Sequence, residues 1–471
     1  MRLTFWGAAQ TVTGSMHHIS FKDRDYLLDC GQFQGRRKEA RERNSSFPFA
    51  PSSIEAVMLS HAHIDHSGNL PVLVKKGFTG PIYSTPATCD LCVPMLADSA
   101  HLQEMDAMFL NKRLRRRRLV DDSPDGEEIE PIYTAEDAER TYTQFRPVPL
   151  KSRTEVGPGI AYTTYDAGHM LGSTFMVLEL ENNGRRIRLG FSGDVGRPGL
   201  PIVRDPEPPP ELDYLIMEST YGNRLHQGLE SVKQKVADVI NRACRRGGKI
   251  IVPAFAVGRT QQLVVVLHEL INEKAIPSIP IFVDSPLAVN VTEVFRKHED
   301  LFDSETAAFR QMGQDAFGFS RLRYIRDVNE SKALNDLRGS FVVISASGMC
   351  EAGRILHHLR NNISDPRNTV LITGFQAENT LGRKILEKQP EVPIFGEPVR
   401  VRAEVTKINE LSGHADQAEL LSWMQPATRT LRRVFLVHGE TEQSRGLAAA
   451  IQARYGLPVE IPARGDVFDL D

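Results

Sequence analysis

Ser60-His61-Ala62-His63-Ile64-Asp65-His66-Ser67-Gly68 sets three imidazoles and a carboxylate within six positions, straight after the apolar run Ile54-Glu55-Ala56-Val57-Met58-Leu59. That order reads as a buried strand emptying into a ligand loop. Imidazole suits zinc and other borderline metals, and a carboxylate beside it suits a second ion. The spacing H-x-H-x-D-H therefore feeds two adjacent metals, His61 and His63 facing one, Asp65 and His66 the other. With 14 His in 471 residues, a chance match is on the order of one in a thousand. Six positions do not close two coordination spheres, so further ligands must come from elsewhere.

Upstream, residues 3–6 and 16–21 read as short strands, and Tyr26-Leu27-Leu28-Asp29-Cys30-Gly31 as another that ends in a carboxylate. Asp29 is either a turn residue or a partner for a ligand His. Arg36-Arg37-Lys38 with Arg41 and Arg43 is a basic, exposed segment. Downstream, residues 69–76 read as a short helix closed by Gly77, and Pro81-Ile82-Tyr83-Ser84-Thr85-Pro86 as the next strand, an α/β rhythm. Residues 87–119 turn helical and end in Arg115-Arg116-Arg117-Arg118, a solvated face or a phosphate contact. The acidic, aperiodic stretch 121–130 reads as an exposed excursion.

Two more ligand candidates follow. Tyr165-Asp166-Ala167-Gly168-His169-Met170-Leu171-Gly172-Ser173 holds one His in a Gly-rich loop after a strand, and Leu189-Gly190-Phe191-Ser192-Gly193-Asp194-Val195-Gly196 puts an Asp at another strand end. With His61, His63, Asp65 and His66 they complete a two-ion site in which Asp194 bridges.

At 471 residues, two or three compact units are expected. Hydrophobic content of 41% and charged content of 25% are those of a soluble globular protein. No apolar run approaches the roughly 20 residues of a membrane helix, and Met1-Arg2-Leu3-Thr4-Phe5-Trp6-Gly7 starts as a strand rather than a secretory signal. Cys30, Cys89, Cys92, Cys244 and Cys350 form an odd, scattered set that fits a reducing compartment. A cytoplasmic location without membrane contact follows. The net charge of -3 excludes a basic nucleic-acid coat, so any polyanion must meet local basic patches and metal charge.

Pro206-Glu207-Pro208-Pro209-Pro210 reads as a stiff spacer, and Leu212-Asp213-Tyr214-Leu215-Ile216-Met217-Glu218 as a strand ending in Glu218. From about Asn223, apolar strands alternate with helices over residues 229–244 and Arg259–Asn272, the signature of a parallel sheet covered on both faces. Its strand-to-helix turns include Ala346-Ser347-Gly348-Met349, Val257-Gly258-Arg259-Thr260 and Asn379-Thr380-Leu381-Gly382-Arg383. Such turns aim backbone N–H groups at anions, which makes Ser347, Gly348, Arg259 and Arg383 candidate phosphate contacts beside plain turn chemistry. No G-x-x-x-x-G-K-[ST] occurs, which disfavours a nucleoside-triphosphate engine. Near the end, Ser412-Gly413-His414-Ala415-Asp416 and Val437-His438-Gly439-Glu440 each carry a His, with a helix expected over Gln417–Met424 between them.

The ordered set Asp29, His61-x-His63-x-Asp65-His66, His169 and Asp194 resembles the metallo-β-lactamase superfamily. Glu218, His414 and His438 match motifs A, B and C of its β-CASP branch, and His438 tilts the resemblance toward RNA, since DNA-directed members typically lack His there. The likeness is to RNA processors similar to the endonuclease subunit of the cleavage and polyadenylation machinery and their prokaryotic relatives. It implies an α/β fold: a four-layer αββα sandwich over residues 1–222 and 396–471, with an inserted α/β β-CASP domain over 223–395 holding a mainly parallel sheet.

The resemblance also implies roles. His61, His63 and His169 would hold one zinc, Asp65, His66 and His438 a second, with Asp194 bridging and manganese also compatible. His414 would act as general acid, with Glu218 holding its ring, and Asp29 would orient a ligand His. The implied activity is hydrolysis of single-stranded RNA, internally or from the 5′ end, by a chain compatible with a homodimer. The alternatives are a small ester or thioester hydrolase of the same fold, and a catalytically inactive RNA-binding subunit.

Overall fold

Four of the five residues of β4 (Ile54–Met58) are buried, the pattern of a strand covered on both faces. In the computed structural model it lies inside a seven-stranded sheet with β1 (Arg2–Phe5), β2 (His17–Phe21), β3 (Arg24–Leu28), β5 (Ile82–Ser84), β6 (Phe145–Pro147) and β22 (Val467–Asp469), in the order β22-β1-β2-β3-β4-β5-β6. The β1–β3 strands pair antiparallel and β3 to β6 parallel.

A second seven-stranded sheet has the order β21-β20-β11-β10-β9-β8-β7. Its members are β7 (Arg153–Gly157), β8 (Ile160–Asp166), β9 (Thr174–Asn182), β10 (Arg185–Phe191), β11 (Tyr214–Glu218), β20 (Arg433–Val437) and β21 (Val459–Glu460). β10, β11 and β20 run parallel, and β9 is antiparallel to both β8 and β10. The carboxyl ends of β8, β10, β11 and β20 therefore share one edge. Leu3, Phe5, Ile19, Tyr26, Leu28 and Met58 of the first sheet join Met176, Leu178, Leu189, Phe191, Ile216 and Phe435 of the second in one buried cluster. Helices such as Leu70–Lys75, Pro86–Asp121, Gln417–Met424 and Thr441–Tyr455 complete an αββα sandwich.

The structure describes all residues except 36, 122–127, 183, 227, 229, 375, 377–378 and 409–411. Arg36, most of the acidic excursion, the expected start of the 229–244 helix and the stretch 409–411 ahead of His414 thus lie outside the described residues, as do the side chains of Arg116, Arg117 and Arg118. The chain divides into two compact units, one of Met1–Gly196, Pro206–Leu225 and Asp416–Asp471, the other of Arg197–Asp205 and His226–Ala415.

The second unit holds a six-stranded sheet in the order β14-β13-β15-β12-β16-β19, formed by β12 (Ile250–Pro253), β13 (Ile281–Asp284), β14 (Leu322–Ile325), β15 (Val342–Ser345), β16 (Thr369–Ile372) and β19 (Glu404–Lys407). Every pairing in it is parallel, as its near-continuous apolar strands predict. A hairpin of β17 (Glu391–Ile394) and β18 (Glu397–Arg400) adds to the same unit. Ile251, Val343, Val370 and Ile372 from the sheet pack with Ile355, Leu359 and Ile385 from its helices.

Candidate metal centre

Each candidate ligand leaves a strand at its carboxyl end. β4 delivers His61, His63, Asp65 and His66, the last two within the short helix Ile64–Ser67. His169 follows β8, Asp194 follows β10, Glu218 ends β11 and His438 follows β20. Close backbone approaches set this edge. A Cβ on Gly31 would stand 1.6 Å from the Asp65 carbonyl oxygen, and one on Gly196 would stand 1.8 Å from that of Gly168, so only glycine lets these loops meet.

Two donor sets result. His61 Nε2 lies 3.1 Å from His63 Nδ1, which lies 3.2 Å from His169 Nε2. Asp194 Oδ2 stands 3.4 Å from His61 Nε2 and 3.5 Å from His169 Nε2. Its other oxygen, Oδ1, faces the second set, 3.3 Å from His66 Nε2, while His438 Nε2 is 3.4 Å from Asp65 Oδ2. One carboxylate thus splits its two oxygens between two groups of candidate ligands. His61, His66, His169, Asp194 and His438 are buried.

The hydrogen bonds fix the tautomers. His66 Nδ1 donates to Asp29 Oδ2 at 2.7 Å. His61 Nδ1 donates to Ser60 Oγ at 3.0 Å, which donates in turn to Asp29 Oδ2 at 3.0 Å. His438 Nδ1 donates to Thr220 Oγ1 at 3.1 Å, and that hydroxyl donates to the His438 carbonyl at 2.9 Å. The Nε2 lone pairs of all three rings are therefore left for the site.

The donor set fits metal ions. Ligands about 2.0 Å from a tetrahedral ion stand roughly 3.3 Å from one another, which matches the 3.1–3.5 Å separations of the first set. Imidazole lone pairs held that close repel unless a cation lies between them. The directions for His61, His63 and Asp65 are those that ligation requires. Burial, with neighbouring imidazoles, holds His61 below the ordinary range and drives His63 down to about 3. For Asp65, burial alone would raise the carboxyl, but the His438 hydrogen bond and the charge of His66 keep it well below the usual carboxylate range. Burial opposes charge on His66 too, yet Asp194 and Asp29 lift its pKa well above the ordinary value. That shift reports a negative potential which a bound cation would also satisfy.

Asp29 is fully buried and accepts from Ser60 N–H at 2.8 Å and from Ser15 Oγ at 3.0 Å, besides His66. An amide there presents a donor to a ring that must itself donate. Asp29→Asn is therefore expected to weaken metal binding by about 10–100-fold, read by competition against graded chelators. Unchanged affinity would show that packing alone orients His66.

Glu218 is buried, and its Oε1 accepts the Val195 N–H at 2.6 Å. Its carboxylate lies within 4.8 Å of donor atoms of Asp194 and His438. His414 belongs to the second unit, where its carbonyl accepts from His226 Nε2 at 3.1 Å. Asp416, two residues on, caps the helix Gln417–Met424 through Glu419 N–H and pairs with Tyr221, three residues past Glu218. Ser347 and Gly348 form a turn after β15 that is joined to the start of the helix Leu381–Leu386 by Gly382 N–H to the Met349 carbonyl at 3.0 Å. Arg383 there is tied to Glu387 at 2.6 Å, and Arg259 Nη1 donates to its helix neighbour Gln262 at 3.1 Å. Ser60, Ser15 and Thr220 have no counterpart among the sequence-stretch candidates, since hydroxyls at strand ends are ordinary turn chemistry.

A metallo-beta-lactamase superfamily domain model matches residues 18–186, a Beta-Casp domain model 260–385, and a model described as a Zn-dependent metallo-hydrolase RNA specificity domain 398–462. Ribonuclease TTHA0252 of Thermus thermophilus is 36% identical over 466 residues, which cover 99% of both chains. The RNase J-like protein of Methanocaldococcus jannaschii is 27% identical with the same coverage of both chains, 99%. The transcription termination factor FttA of Thermococcus kodakarensis is 30% identical over 88% of this chain, which spans 62% of that longer relative. A crystal structure of a protein of unknown function from Enterococcus faecalis V583 shares the fold, with a TM-score of 0.54 at 12% identity over 100% of this chain and 99% of that one.

Proposed function

The chain belongs to the metallo-β-lactamase superfamily and within it to the Beta-Casp family of metallo-hydrolases, and from that premise we propose that it is a two-zinc ribonuclease hydrolysing phosphodiester bonds of single-stranded RNA. The observation that carries the two-ion reading is Asp194, whose Oδ2 faces His61 and His169 while Oδ1 faces His66. His61, His63 and His169 would hold one ion, and Asp65, His66 and His438 the other. The His-rich donor set favours zinc, with manganese the competitor. The RNA specificity match and the ribonuclease relative support the substrate.

When bound, the ions supply hydroxide at neutral pH and neutralise charge on the phosphate under attack. The chain does the rest. Asp29, through His66 directly and His61 by way of Ser60, holds two ligand rings in one tautomer, as Thr220 does for His438. His414 would give its proton to the leaving sugar oxygen, and Glu218 would orient that ring.

The domain limits 1–222, 223–395 and 396–471 belong to this proposal, as does a cytoplasmic location, which the five thiols without a disulfide support. No helix among the described residues is long and apolar enough to cross a membrane. A homodimer is proposed through the helix Pro86–Asp121, where Leu102, Met105, Met108 and Phe109 are 51%, 50%, 65% and 63% exposed, away from buried Ala100 and Ala107. Paired across a two-fold axis, such faces would bury these four side chains against their copies; equilibrium sedimentation decides it.

The test is a 5′-labelled single-stranded RNA with the metal-loaded protein, after chelation, and after zinc is returned. Cleavage that is lost and restored with about two zinc per chain is expected, and the product ladder separates internal from 5′-end attack. A metal-loaded protein that leaves RNA intact but turns over a chromogenic ester would replace this reading with the small-molecule hydrolase.

A further inference from the structure

The run Pro253-Ala254-Phe255-Ala256-Val257-Gly258-Arg259, which starts at the last residue of β12, is apolar enough to read as core, yet Phe255 is 44% exposed. Its position in the sheet is unusual. The connections after β12 and β13 lead toward the β14 edge, whereas those after β15 and β16 lead toward β19. Where connections diverge in this way, a parallel sheet opens a crevice at the carboxyl ends of its strands, the common place for ligands. Phe255 stands two residues past β12, Gly374 two past β16 and Ser347 two past β15.

The ring is bedded on backbone. A Cβ on Gly348 would come 2.9 Å from the Cδ2 and Cε2 carbons of the Phe255 ring, and one on Gly374 would come 3.7 Å from the same Cε2. Glycine at 348 is what allows the ring to lie against the turn. Hydrogen bonds hold the bed. Ala254 N–H donates to Ser345 O at 3.1 Å, Thr260 donates to Phe255 O from both its N–H at 3.2 Å and its Oγ1 at 2.8 Å, and Gln376 Nε2 donates to Gly348 O at 3.0 Å. An isolated exposed Phe is ordinary. A rigid one, supported by glycine backbone at a strand-end crevice, is a flat π surface held ready at little entropic cost.

We propose that Phe255 is the platform of a nucleobase subsite, on which one base of single-stranded RNA stacks while the Ser347-Gly348 turn lies alongside the sugar-phosphate chain. The subsite rests on the RNA reading above. Every base has a π face, so the platform would take any of the four with slight sequence preference.

Steady-state cleavage of a short labelled RNA by the metal-loaded full chain tests it, comparing wild type with Phe255→Leu and Phe255→Trp. Leu keeps apolar bulk without a π face, and Trp keeps the face. The expected result is KM raised about tenfold in Phe255→Leu, the usual loss of one base–aromatic stack, with kcat and the salt slope unchanged and Phe255→Trp close to wild type. A substrate series with one abasic nucleotide moved along the strand should show one position whose KM penalty disappears in Phe255→Leu, the coupling that a double-mutant cycle isolates. Equal KM for wild type and Phe255→Leu, or a loss in both variants with no coupled position, overturns the platform and leaves the ribonuclease standing. A wild type that neither binds nor cleaves RNA overturns both.

Discussion

Asp194→Ala is expected to leave the protein with less than one metal ion per chain and to lower kcat/KM on single-stranded RNA by about a thousandfold or more, the several kcal/mol that metal-borne charge stabilisation supplies. The reason lies in charge and geometry. Two divalent ions in this site would face five imidazoles and, with Asp194 gone, only Asp65 among the carboxylates of the two donor sets. Asp194 also sits where both sets need an oxygen, 3.3 Å from His66 Nε2 and 3.4 Å from His61 Nε2. Asp194→Asn refines the result. It keeps the shape but offers one acceptor oxygen and an NH2 group, so one set should retain its ion and the other lose it. Metal content by elemental analysis reads both variants. Thermal melting adds a check that does not depend on activity, since a ligand that binds only the folded state stabilises by about 4 kcal/mol at a thousand times its Kd. Chelation should therefore lower the Tm of wild type clearly and that of Asp194→Ala little. Two tightly held ions in Asp194→Ala would remove the bridge from the mechanism.

The clustering of the candidate ligands was legible because each stood just past a buried strand: His61, His63, Asp65 and His66 after β4, His169 after β8, Asp194 after β10, His438 after β20. The parallel sheet was legible from strands such as Ile250–Pro253 and Val342–Ser345, which have no polar side to turn to water. What escaped was carried by residues whose local sequence has a cheaper explanation. Ser60 and Thr220, which set the tautomers of His61 and His438, look like any hydroxyl at a strand end. Phe255 looks like core until its exposure is known. Asp416, at the end of the Ser-Gly-His-Ala-Asp stretch, caps the helix Gln417–Met424 through the Glu419 N–H, a role its place beside His414 does not announce. Gly31 and Gly196 matter only through loops that are distant in sequence, 34 and 28 residues away at Asp65 and Gly168.

His414→Ala is expected to keep its metal and to lower kcat by about 10²–10⁴-fold, the usual worth of one positioned proton donor. His414 lies outside both donor sets, so its loss should leave metal content and chelator resistance as in wild type, the opposite signature to Asp194→Ala. A proton donor has a property that a merely structural His lacks: its value depends on the leaving group. A sugar alkoxide is a poor leaving group unless it is protonated as the bond to phosphorus breaks, whereas a nitrophenolate leaves readily without a proton. On a nitrophenyl nucleotide phosphodiester the penalty of His414→Ala should therefore shrink to a few-fold, while on RNA it stays large. Glu218→Gln should show the same leaving-group dependence in weaker form if it acts through the His414 ring, and should instead lose metal if its carboxylate, which lies within 4.8 Å of donor atoms of Asp194 and His438, serves the ions. An equal loss on both substrates in His414→Ala would assign His414 to substrate positioning and leave the proton to come from solvent.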